Sequence, residues 1–261
     1  MVRAMKATVC SPAARRLVAA FGVLALVISA PAARAGETRI AVAANFTDAA
    51  REIGALFDAT SGHRAVFSFG STGQLYAQIG QGAPFDAFVA ADRDRPQKAV
   101  DDGLAVPGSR FTYATGRLAL YSRQPGLVAG PQVLTDANVT GLAIANPATA
   151  PYGAAAVDVM QALGVFDVLG PKLVRGNNVA QTFQFVATGN AELGFVALSQ
   201  IAGRTGGSRW IVPEDLHAPI AQDAVLLTHG AGNDAARAFL AFLRGPAARA
   251  VKEKYGYGAG D

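Results

Sequence analysis

Cysteine occurs once in the 261 residues, tryptophan once and histidine three times. The cysteine, Cys10, falls in a stretch that reads as a cleavable leader. Arg3, Lys6, Arg15 and Arg16 form a basic start, residues 17–30 an uncharged apolar run, and Ala33-Arg34-Ala35 places small residues where a signal peptidase reads. Cleavage is expected after Ala35, removing residues 1–35. The apolar run is shorter than the roughly 20 residues of a membrane span, and Cys10 precedes it, the wrong side for a lipid anchor. A secreted, unanchored protein is expected. Beyond residue 35 there is no cysteine, which excludes disulfides and thiolate-held metals. His63, His217 and His229 are scattered without a metal-site spacing, and no G-x-S-x-G elbow occurs.

An excess of positive charge is also missing once the leader is set aside. Of 23 Lys and Arg, five lie in residues 1–35 together with no acid, leaving 18 bases against 19 acids. The remainder carries a formal charge of −1, so no basic surface speaks for nucleic acid. No low-complexity linker or internal repeat divides these residues, and they suffice for one large or two small cores.

What is present is an alternation of strand-like and helix-like stretches. "TRIAVAA" (38–44), "RAVFSF" (64–69) and "DAFVAA" (86–91) read as strands. Between them, Phe46, Ala49, Ala50, Ile53 and Phe57 share one helical face, and a second helix opens near Thr72. "RPQKAVDDG" reads as a helix closed by Gly103. Such alternation implies parallel strands with right-handed crossovers. A second set begins at "RLALYS" (117–122) and continues through "LAIA" (142–145), a helix over 153–163, "VATGNAELGFVAL" and "RWIV" (209–212). "AVLLT" (224–228) and two C-terminal helices follow. Two α/β units with loops at the carboxyl ends of their strands place a site in the cleft between them.

Four loops carry small polar residues just ahead of a helix. Asn45 follows Ala44, and Ser71 and Thr72 follow Gly70. "NPATAPYGAAA" puts Tyr152 at a helix entrance, and "RGNNVAQTF" puts Asn177 or Asn178 before the helix that Val179 enters. Helix N-termini carry unpaired N–H groups and partial positive charge, and so attract anions without a formal cation. The alternative is ordinary N-capping by Asn, Ser and Thr, and plain packing of the tyrosine. Asp86, Asp92 and Asp94 in "FDAFVAADRD" could be paired carboxylates of a hydrolase, or simply caps and solvated acids.

These loops, in this order, resemble the periplasmic molybdate-binding proteins of ABC importers, within the type II periplasmic binding-protein fold. The resemblance spans residues 38 to 257 and rests on "VAANFTDAAREI", "FGSTGQLYAQIGQGAPFDAFVAADRD", "PGSRFTYATGRLALYS", "NPATAPYGAAA", "AELGFVALSQI" and "FLRGPAARAVKEKYGY". It implies an α/β, two-lobed fold, each lobe a mostly parallel sheet flanked by helices, with the ligand cleft between lobes. Lobe one would be residues 36–116 plus 223–261, and lobe two 117–222. It further implies oxyanion contacts from Asn45 with Ala44 beside it, Thr72 with Ser71 beside it, Tyr152, and the backbone N–H of Val179. Some members place the binding tyrosine where this chain has Ala197 and a small residue where Tyr152 stands, so the phenol here comes from another direction.

The implied ligand is molybdate or tungstate, with molybdenum bound only as the oxyanion. A fully deprotonated tetrahedral dianion has only acceptors, which a pocket of neutral donors satisfies. Hydrogen phosphate needs an acceptor for its proton, and no Asp or Glu stands among the matched positions. Sulfate or another tetrahedral oxyanion is the alternative, a periplasmic hydrolase a more distant one, and a receptor that only signals a third. The resemblance implies no catalysis and no cofactor, a periplasmic monomer, no nucleic acid, and a membrane permease with its ATPase as partner.

Overall fold

The computed structural model describes residues 36–260; the expected leader and its cleavage site lie outside them. The chain runs through β1 (Glu37–Ala43), α1 (Thr47–Ser61), β2 (Arg64–Gly70), α2 (Thr72–Gly80), β3 (Ala87–Val89), α3 (Asp94–Asp101) and β4 (Phe111–Gly116). It continues as β5 (Leu118–Ser122), β6 (Leu142–Ala145), α4 (Pro151–Ala162), α5 (Phe166–Leu169), β7 (Leu173–Gly176), α6 (Val179–Thr188), β8 (Leu193–Ala197) and β9 (Ser208–Ile211). It closes with β10 (Ile220–Leu226), α7 (Asp234–Arg244) and α8 (Pro246–Lys254).

Two five-stranded mixed sheets result, ordered β2-β1-β3-β10-β4 and β7-β6-β8-β5-β9. In the first, β1 pairs parallel with β2 and β3, whereas β10 runs antiparallel to both β3 and β4. In the second, β6 pairs parallel with β7 and β8, and β5 runs antiparallel to β8 and β9. Each sheet thus has four strands pointing one way and one reversed strand in the fourth place. The chain crosses between sheets at Gly116–Leu118, and again between Ile211 and Ile220. β10 starts at Ile220 and so runs across the limit of 222/223 expected between lobes.

Alternation along the strands sorts the core. Ile40 and Val42 of β1 face α1, α7 and α8 through Ile53, Phe57, Phe239 and Val251, while Ala41 faces α2 and α3 through Leu75 and Ala99. In the second lobe, Leu118 and Leu120 of β5 pack toward α4, and Ala119 and Tyr121 toward α6. The helices end where their chemistry dictates: α1 stops at Gly62, whose φ of 71° is left-handed, and α6 stops at Gly189 with φ 84°. The core of the second lobe also takes in Ala43, Ala44 and Ala91 from the first, so the lobes are packed against each other.

Candidate functional site

The parallel pairing aligns the loops. Ala43 at the end of β1 is in register with Gly70 at the end of β2, and Ala145 of β6 with Gly176 of β7. Each lobe therefore delivers two adjacent strand ends, and the helical turns that follow point their N-termini into the space between. A small cavity is bounded by Ala43–Asn45 and Gly70–Thr72 of the first lobe, together with Ala91. From the second lobe come Ala150, Pro151, Tyr152, Asn178 and Val179. The sequence-derived positions Ala44, Asn45, Ser71, Thr72, Tyr152 and Val179 all meet there. Among the described residues, no acidic or basic side chain lines this cavity.

The donors differ in how they are engaged. Ser71 is only 3 % exposed, and its Oγ has no hydrogen-bond partner among the described residues. A buried hydroxyl left unpaired costs about 1–3 kcal/mol, so an acceptor in the cavity is the natural complement. Thr72 Oγ1 accepts the N–H of Ala91 at 3.1 Å, leaving its own proton available. Neither hydroxyl caps its own helix: no side-chain bond is made at Ser71, the N-cap of α2. Asn178 does cap, its Oδ1 accepting the N–H of Gln181 at 3.0 Å, and it sets Val179 as the first residue of α6. The N–H groups of such first turns have no intrahelical acceptor.

Asn45 contributes in a way its position alone does not reveal. Its Nδ2 donates to Gln222 Oε1 at 2.9 Å and to Tyr257 Oη at 3.1 Å. Both amide protons are therefore spent on the protein, and what Asn45 has left for an anion is its backbone N–H. Tyr152 stands at the second position of α4, behind Pro151, and is 2 % exposed. Its hydroxyl accepts Gln222 Nε2–H at 3.1 Å. Burial pushes its pKa well above the ordinary phenol range, so it remains a donor at neutral pH. Ala197 is a fully buried β8 residue and does not line the cavity.

Sequence reasoning missed Gln222, Tyr113 and Tyr257, which form the polar wall behind Asn45 and Tyr152. The Tyr113 hydroxyl has one proton and two acceptors within reach, Gln222 Oε1 (2.7 Å) and the Ala90 carbonyl (2.9 Å). The available signal was a glutamine and an aspartate, "AQDAV", breaking an apolar strand, since buried polar groups are retained where they find partners.

The three aspartates lie outside this cavity. Asp86 accepts the Arg39 N–H at 2.7 Å and lies 3.3 Å from His229 Nδ1. Asp92 pairs with Arg95, and burial raises its pKa above the usual carboxylate value. Asp92 and Asp94 border a larger, neighbouring cleft. They do not converge on the small cavity.

The family model described as bacterial extracellular solute-binding protein matches residues 38–258. The molybdate-binding protein ModA of Rhodobacter capsulatus is 55 % identical over 236 residues, 90 % of this chain and 93 % of that protein. ModA of Azotobacter vinelandii is 52 % identical over 247 residues, covering 93 % and 97 %. Among solved structures, the periplasmic molybdate-binding protein of Azotobacter vinelandii superposes with a TM-score of 0.82 at 40 % identity, over 84 % of this chain and 98 % of that one. On sequence and fold together, the chain belongs to the bacterial extracellular solute-binding proteins, in the group that holds these molybdate-binding relatives.

Proposed function

We propose that this protein captures molybdate, and tungstate as its near twin, in the periplasm and delivers it to the permease of an ABC importer. The observation that carries the reading is the unpartnered, buried Ser71 hydroxyl in a cavity walled by neutral donors. A tetrahedral dianion accepts at every oxygen, so hydroxyls, a phenol and helix N-termini satisfy it without a counter-charge. The two ModA relatives are molybdate-binding proteins, which supports the same ligand. In this reading Ser71 and Thr72 donate through their hydroxyls, Tyr152 through its phenol, and Ala44, Asn45 and Val179 through backbone N–H groups. Molybdenum is held only through its oxygens. Neutral donors also keep release fast enough for transport, because no ion pair has to be broken.

Capture proceeds by closure of the two lobes about the crossings beside Gly116 and Ile220, since each lobe supplies only half of the donors. The closed face is what a permease with its ATPase would recognise. The protein acts as a binding component with no catalytic step and no cofactor, working as a monomer. Calorimetric titration of the protein lacking residues 1–35 with molybdate, tungstate, sulfate and phosphate tests this. Tight binding of the first two is expected; preference for sulfate would transfer the assignment to another oxyanion.

A further inference from the structure

Behind the cavity the hydrogen bonds run in one direction that the partners themselves dictate. Tyr257 Oη lies 2.7 Å from the Asn45 backbone carbonyl. A carbonyl only accepts, so the Tyr257 proton is spent there, and its oxygen must accept from the Asn45 side chain at 3.1 Å. That places Nδ2 of Asn45 toward Tyr257. The same Nδ2 is 2.9 Å from the Gln222 amide, which must therefore present Oε1. Tyr113 lies 2.7 Å from that oxygen and 2.9 Å from the Ala90 carbonyl, so its single proton is shared between two acceptors and the Gln222 orientation rests on Asn45. The other end of the Gln222 amide, Nε2, then faces Tyr152 Oη at 3.1 Å and donates to it. Tyr152 accepts, and among the described residues it donates no hydrogen bond of its own.

We propose that Gln222 is a positioning residue for ligand choice: by donating to Tyr152 it commits the phenol proton to the cavity, making Tyr152 a donor only. The consequence rests on the oxyanion reading above. A phenol free to rotate could accept a proton from hydrogen phosphate or another protonated anion. One whose oxygen is already taken by Gln222 turns a single donor toward an all-acceptor ligand. The fold makes room for this pair deliberately. A Cβ at Gly116, on the first crossing between lobes, would stand 2.1 Å from Tyr152 Oη and 2.3 Å from Gln222 Nε2. Gln222 itself is fully buried at the β10 irregularity that shifts register between residues 222 and 223. Breaks of this kind recur beside functional sites, where they re-aim side chains.

A double-mutant cycle separates this role from a structural one. Molybdate is titrated calorimetrically into the parent, Gln222→Met, Tyr152→Phe and the double variant, with melting temperatures recorded for each. Gln222→Asn, which keeps an amide too short to reach Tyr152, serves as a second version of the same cycle should the methionine variant not fold. Gln222 substitution alone should weaken binding about tenfold, near 1.4 kcal/mol. In the Tyr152→Phe background the same substitution should change affinity by less than about threefold, near 0.65 kcal/mol, because the hydroxyl it acts through is gone. Equal losses in both backgrounds would overturn the proposal while leaving the oxyanion reading intact. A parent that binds none of molybdate, tungstate, sulfate or phosphate would overturn that reading, and the proposal with it.

Discussion

The backbone N–H of Gly73, the second residue of α2, donates to the carbonyl oxygen of Thr149 in the opposite lobe at 2.9 Å. Beside it, Arg95 Nη2 donates to the Ala148 carbonyl at 3.1 Å, and across the cleft Ser199 Oγ donates to the Asn45 carbonyl at 2.8 Å. A Cβ on Gly73 would come within 3.0 Å of Thr149 Cα, so the two backbones meet as closely as a glycine allows. This is a closed arrangement, and the donors for an anion are shared between its halves.

Ligand should therefore both compact and stabilise the protein. Small-angle scattering is expected to show a smaller radius of gyration with molybdate than without. A ligand at 100 times its dissociation constant adds about 2.7 kcal/mol by mass action, which a thermal scan reads as a higher melting temperature. An unchanged melting point at saturating molybdate and tungstate would rule out the ligand assignment.

Affinity should depend only weakly on salt. A cationic surface site is screened within about 10 Å at 0.1 M ionic strength, whereas this cavity is lined by no charged side chain. Titrations at low and physiological chloride are expected to agree within severalfold. A fall by orders of magnitude would place binding at an exposed basic patch instead.

Removing the Tyr152 hydroxyl isolates one donor. Tyr152→Phe keeps the ring that packs in the second-lobe core and deletes one charge-assisted hydrogen bond, a contribution of roughly 1.5–3 kcal/mol. Binding to molybdate should weaken on the order of ten- to a hundredfold. Equal affinity at matched stability would remove Tyr152 from the site.

Gly116→Ala should injure both the site and the crossing between lobes. The added methyl would overlap Tyr152 Oη and Gln222 Nε2, and overpacking of this kind costs about 1–3 kcal/mol. A lower melting temperature and weaker binding are expected together. A variant with unaltered affinity would show that the Tyr152–Gln222 contact can be displaced without consequence for the ligand.

Stability near the C-terminus should rise in mildly alkaline solution. Lys252 Nζ is buried and donates to the carbonyls of Tyr113 (2.7 Å) and Leu243 (3.1 Å). Burial, followed by repulsion from Arg249, lowers its pKa from 10.5 to about 8. Between those values the unfolded chain binds more protons than the folded one, so stability increases with pH across that window and the burial penalty is fully present below it. Denaturant titrations should show this slope in the parent and a shallower one in Lys252→Met. Above the ordinary phenol range the buried Tyr113, Tyr152 and Tyr257, all raised by burial, reverse the trend. There the unfolded chain loses protons that the folded one retains.

Much of this molecule is local enough to be legible in the chain. The apolar spacing of Ile53 and Phe57 marks α1, "LAIA" marks β6, and small polar residues after strand ends mark the loops, because each signal depends only on near neighbours. β4 and β7 are less visible: Thr and Gly dilute "FTYATG", and "LVRG" is a four-residue edge strand with an exposed arginine. The resemblance carried the six cavity positions, but not what each group does there. Asn45 reads as a donor in sequence, yet its amide protons are taken by Gln222 and Tyr257, partners 177 and 212 residues away. Ser71 reads either as a cap or as an anion contact, and its hydroxyl caps nothing and makes no hydrogen bond among the described residues. Residue type determines how many protons a group can give; only packing of distant strands decides which acceptors take them, and which proton is left for a ligand.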